Sequence, residues 1–105
     1  MKMIRAVIRP EREETVLNNL EAAGFPAVTK LDVLGRGKQK GIQVGSAIYE
    51  ELAKTMVMLG VEDDKLPAAI EAIRVGAVTG NPGDGKLIVS PVEEVYTIRT
   101  GRTGL

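Results

Sequence analysis

Apolar and polar residues alternate at the start of the chain. In "KMIRAVIR" (2–9), Ile4, Ala6 and Ile8 fall on one side and Met3, Arg5 and Val7 on the other, the period-2 pattern of a strand that Pro10 ends. From Glu11 to Ala23 the period lengthens. Val16, Leu17, Leu20 and Ala23 recur at helical spacing, Glu11, Glu13 and Glu14 lie in the first turn where the helix dipole favours them, and Gly24 is placed to terminate the helix. A second strand is predicted through "AVTKLDVLG", with Thr29, Leu31 and Val33 facing one way.

Residues 36–53 have no clean period. Glycines at 37, 41 and 45 are spaced through them, and Arg36, Lys38 and Lys40 form a local basic cluster. A long loop in so small a chain suggests function. The run "KTMVMLGV" (54–61) is apolar on both faces in its middle, which predicts a central strand. Asp63 or Asp64 is then placed to cap a second helix with Pro67 in its first turn, in which Leu66, Ala69, Ile70, Ile73 and Ala77 share a face. After a glycine-rich loop, Leu87–Val89 and Val92–Thr100 are predicted as a short strand and a longer final one. The order is β-α-β-β-α-β plus an extra C-terminal strand, the α+β ferredoxin-like plan with both helices on one face of an antiparallel sheet.

Composition narrows the chemistry. The 105 residues make one domain, so a large ligand is expected to need a second copy of the chain. Fourteen basic residues balance fourteen acidic ones, which leaves no global field for nucleic acid or an anionic membrane. With no cysteine and no histidine there are no disulfides, thiolate nucleophiles, zinc sites of the usual kind or histidine bases, and any metal must use oxygen ligands. Charges at Lys2, Arg5 and Arg9 interrupt the apolar N-terminus, which is neither a signal peptide nor a membrane span; a cytoplasmic protein is expected.

The stretch "VTGNPGDGK" (78–86) has the G-x-x-x-x-G-K spacing of a P-loop. A true P-loop has a strand before it, a helix after it, and Ser or Thr directly after the Lys to hold magnesium. Here a predicted helix precedes, Leu87 follows Lys86, and a strand comes next. The NTPase reading fails on all three counts. Gly80, Gly83 and Gly85 could serve only a turn that Asn81-Pro82 starts, or could let backbone N–H groups converge on a phosphate beside Lys86; the residues alone leave both open. No carboxylate pair or nucleophile–base pair stands nearby, since Glu93 and Glu94 are adjacent on a predicted strand and point to opposite faces.

Taken together, "MKMIRAVIRP", "GRGKQKG", "TGNPGDGK" and "PVEEVYTIRTG" resemble the nitrogen-regulatory PII signal-transduction family over nearly the whole chain. The resemblance implies a trimeric, ferredoxin-like binding protein and not an enzyme, with a T-loop at about 36–53, a B-loop at 79–86 and a C-terminal strand at 92–100. It implies ATP or ADP held in clefts between subunits, with MgATP holding 2-oxoglutarate. By position, Gly83, Asp84, Gly85 and Lys86 would wrap the phosphates, and Arg99 of the neighbouring subunit would reach them from the other side. Thr29 matches the adenine-contacting position, and Gly35, Gly37 and Lys38 match the T-loop base. Gln39 would coordinate Mg²⁺, and Lys54 would pair with the far carboxylate of 2-oxoglutarate.

The sequence also departs from the family pattern. Lys38 stands where Arg is usual, and Thr97 replaces the first Arg of "RIRTG", which implies altered nucleotide affinity. The T-loop is about four residues shorter than the common bacterial form, and Tyr49 does not correspond to the uridylylated tyrosine. These features resemble the PII-like chains encoded with nitrogenase in archaea. That branch implies a homotrimer or a hetero-oligomer with a second PII-like chain, and a nitrogenase component protein as target. The alternative is an ammonium transporter or another nitrogen-metabolism target.

Overall fold

The computed structural model describes residues 1–36 and 51–105. Its elements are β1 (Lys2–Ile8), a 3-10 turn (Pro10–Arg12), α1 (Glu13–Ala22), β2 (Thr29–Gly35), β3 (Leu52–Val61), a second 3-10 turn (Asp63–Lys65), α2 (Leu66–Ala77) and β4 (Gly85–Pro91). The strands form one antiparallel sheet in the order β2-β3-β1-β4. This is the predicted ferredoxin-like α+β plan, with β3 inside the sheet.

The alternation in β1 sorts as predicted. Ile4, Ala6 and Ile8 lie under the helices at 2% exposure or less, joined there by Val57, Leu59 and Val61 of β3. From α1 come Val16 and Leu20, and from α2 come Ala69, Ile73 and Ala77, while Leu66 and Ile70 pack partly against them. The two helices touch closely at Gly76, where an added Cβ would stand 3.0 Å from the Val16 Cα. Arg12 and Asn19 of the first helical segment donate to the Gly76 and Ala72 carbonyls. Gly24 ends α1 with φ 95°, and the Phe25 amide reaches back to the Leu20 carbonyl at 2.8 Å. Ala23 lies beyond the helix and is exposed rather than part of its apolar stripe.

Two expectations change. Asp63 does not cap α2: its carboxylate instead takes the N-terminal ammonium at 3.0 Å and Lys2 Nζ at 3.6 Å, so α2 follows a 3-10 turn with no side-chain cap. The segment 92–100 adds no strand to the sheet. The last β1–β4 pair is Lys2 with Pro91, so the chain beyond it has run off the end of β1 and finds no strand to join. It folds on itself instead, as a short hairpin with one bridge, Tyr96–Thr103. The hairpin's backbone bonds are Thr97 to Arg102, Gly101 to Thr97 and Gly104 to Val95.

Among the described residues, no helix lies on the other face of the sheet. Strand alternation puts Met3 and Val7, Leu31 and Val33, Met56 and Met58, and Ile88 there. Leu31 is 44% and Ile88 51% exposed, and the rest are half-buried. At one end of this face Leu105 rests on Gly60.

Candidate functional site

The loop 78–84 between α2 and β4 is held by its own residues. Asp84 accepts from the Thr79 amide at 2.8 Å, from the Gly80 amide at 2.9 Å and from the Thr79 hydroxyl, while the Asn81 amide donates to Thr79 Oγ1 at 3.2 Å. The Thr79 hydroxyl and amide, helped by the Arg9 guanidinium and the Gly80 amide, hold the Asp84 carboxyl well below the usual carboxylate range. Asp84 is therefore ionised at any ordinary pH.

Two strands then clamp the loop from outside. Because Ile8 pairs with both Thr55 and Gly85, the chain just past Ile8 lies between Lys54 and Asp84. There Arg9 Nε donates to Asp84 at 3.0 Å and an Arg9 terminal nitrogen donates to the Pro82 carbonyl at 2.8 Å. Lys54 Nζ donates to the Gly83 carbonyl at 2.7 Å. Gly35 completes the corner, since a Cβ on it would stand 3.2 Å from Lys54 Cγ.

The glycines are used by the backbone itself. Gly80, Gly83 and Gly85 have φ of 87°, 98° and 111°, a region that strains other residues. At Gly85 an added Cβ would lie 1.8 Å from the Val7 carbonyl oxygen. Turn geometry thus accounts for all three.

Lys86 is what the turn does not explain. It is exposed, pairs in register with Val7, and has no hydrogen bond or ion pair among the described residues. Arg99 shares that condition, on a hairpin whose neighbouring Ile98 is fully exposed. The hairpin grows from the Pro91 end of β4 whereas the loop feeds its Gly85 end, and seven residues of strand separate them by roughly 20 Å. The base of the Arg99 hairpin thus lies at the opposite end of the sheet from its own chain's loop.

The structure therefore brings Gly35, Lys54, Gly83, Asp84, Gly85 and Lys86 to one corner. Thr29 sits on the uncovered face, exposed and in register with Met58. Gly37, Lys38 and Gln39 lie outside the described residues. Arg9 and Thr79, which order the loop, were not singled out from the sequence. A cleft of about 220 Å³ between α2 and β4 adjoins this corner: Ile70, Ile73, Ala77 and Leu87 form its aliphatic wall, and Asp84, Gly85 and Lys86 line it on the loop side.

This fold with its glycine-rich loop matches a family of small nitrogen-regulatory proteins. The family model "Nitrogen regulatory protein P-II" matches residues 1–102, and the chain belongs to that family. It is 56% identical over 105 residues, all of both chains, to a nitrogen fixation nifHD region GlnB-like protein 1 of Methanococcus maripaludis. It is 48% identical, again over the full length of both, to the protein of that name in Methanothermococcus thermolithotrophicus. A crystal structure of Arabidopsis thaliana PII bound to citrate superposes with a TM-score of 0.83 at 33% identity, covering 98% of this chain and 84% of that one. The chain is thus most like the nitrogenase-associated archaeal branch of PII proteins.

Proposed function

We propose that this protein is a nitrogen and energy sensor that binds ATP or ADP between subunits of a trimer, reads 2-oxoglutarate through the bound MgATP, and acts on a nitrogenase component through its T-loop. One observation carries the nucleotide site: a loop already folded by internal bonds presents Lys86 without a partner. A point charge beside glycine-rich backbone suits a polyphosphate.

The same geometry supports association with further copies of the chain. Arg99 cannot share a site with its own chain's loop without crossing the length of the sheet, and a second copy offers it a loop directly. The uncovered apolar face supplies the burial that association needs. Gly83, Asp84, Gly85 and Lys86 on one subunit and Arg99 on the next would then enclose the phosphates, with Gly35 of the first subunit near the nucleotide and Thr29, at the other end of β2, reaching the base from the next.

Lys54 fits the 2-oxoglutarate role. An ammonium has three donors, so the bond to Gly83 leaves capacity for a carboxylate. Among the described residues no group of acidic side chains is arranged to hold a metal. The Mg²⁺ would thus depend on ligand oxygens and Gln39. The nifHD-region names of the two methanogen relatives support nitrogenase over an ammonium transporter as target.

The protein turns over nothing in this reading. Occupancy at the loop base biases the T-loop between arrangements by its differential affinity for them. Calorimetry tests the site: ATP and ADP should bind the wild type, and 2-oxoglutarate should bind only with MgATP present. Equal 2-oxoglutarate affinity without nucleotide would refute the chelation scheme, and a pull-down that recovers a membrane transporter would replace the target.

A further inference from the structure

We propose that Arg9 is a positioning residue for the phosphate loop, holding it in the shape that receives the nucleotide without touching the nucleotide itself. This rests on the sensor reading above and adds a residue to it.

The argument begins with where the donors go. Arg9 stands just past the end of β1, and its Nε and one terminal nitrogen go to two different loop acceptors, the Asp84 carboxylate and the Pro82 carbonyl. Its side chain is only 23% exposed, as is that of Asp84, so the pair is largely shielded from water and from screening. The Lys86 side chain, in contrast, is exposed and has no partner among the described residues. One cation is spent on the loop and the next is left for a ligand.

Asp84 is the hub. It already gathers the Thr79 and Gly80 amides and the Thr79 hydroxyl, which fixes the inner turn. Arg9 ties that hub and Pro82 to the sheet, and Lys54 ties the intervening Gly83 to β3. Three consecutive loop residues are thereby fixed against two strands, despite glycines on either side that would otherwise leave them free. A guanidinium suits the task because its fork serves two diverging acceptors, which a lysine's point charge cannot reproduce.

The test uses the full-length protein and four variants: Arg9→Ala, Arg9→Lys, Asp84→Asn and the double Arg9→Ala/Asp84→Asn. Amide hydrogen exchange without ligand should quicken across 80–86 in Arg9→Ala and stay unchanged in β3, and ADP affinity by calorimetry should fall about tenfold or more. Arg9→Lys, which keeps a cation at the end of β1, should show the same changes to a smaller degree. Because one of the two Arg9 bonds ends on Asp84, the loss in the double variant should be clearly smaller than the sum of the two single losses.

Unchanged loop exchange in both Arg9 variants would overturn the proposal. So would additive losses in the double variant, which would put Arg9 on the nucleotide directly. A wild type that binds no ADP would refute the sensor reading and not the clamp, which the exchange data decide alone.

Discussion

Asp84 shows how one side chain can be legible in kind and not in role. The sequence marked it as part of a phosphate-wrapping loop, but its carboxylate faces inward to Thr79, Gly80 and Arg9. Its pKa is depressed, so the stability its charge contributes is present in full above the ordinary aspartate value and is lost only as pH falls through the lowered folded value. Loop exchange and ADP affinity should therefore show no titration from this group between about pH 8 and about pH 5. A titration step in that range that disappears in Asp84→Asn would contradict the assignment. Gly85 carries the sharpest local constraint, and Gly85→Ala should destabilise the fold by about 2–4 kcal/mol in denaturant unfolding, through positive φ and the clash with Val7. Arg9 and Thr79 escaped the sequence because their meaning depends on long-range pairing. Nothing local says that the end of β1 will meet a loop 75 residues on.

Whole elements were more legible than single side chains. Strict alternation in β1 and the apolar stripe of α2 identified faces that the structure buries as expected. The failure was the segment 92–100. Its valines, tyrosine and isoleucine favour a strand by propensity, but propensity cannot supply a partner, and β1 ends at the pair with Pro91. A hairpin with a fully exposed Ile98 is what remains in one chain. The apolar middle of 54–61 likewise makes sense only with both faces occupied: Val57 and Leu59 lie under helices, and Met56 and Met58 on the bare face. Met58→Asp should keep the helix-side core and its cooperative melting while shifting the protein to monomer in size-exclusion chromatography with light scattering. An oligomer unaffected by that charge would mean that some other surface holds the subunits together.

At the scale of the whole molecule, the proposed phosphate site divides into two halves that a single chain carries at opposite ends of its sheet. Lys86 begins β4, and the hairpin bearing Arg99 follows its end. Neither side chain has a partner among the described residues, and in the proposed assembly the bare sheet face is where copies would join. The account's central claim is that each nucleotide is held by the loop of one subunit and the arginine of the next.

That claim is tested most directly by mixing. Lys86→Ala and Arg99→Ala subunits, each alone, should lose most ADP affinity while remaining folded and assembled, because both side chains are exposed and have no partner among the described residues. When the two variants are unfolded together in equal amounts and reassembled, roughly one site in four should pair an intact loop with an intact arginine and bind ADP with wild-type affinity. A mixture that binds no better than either variant alone would contradict a site shared between subunits.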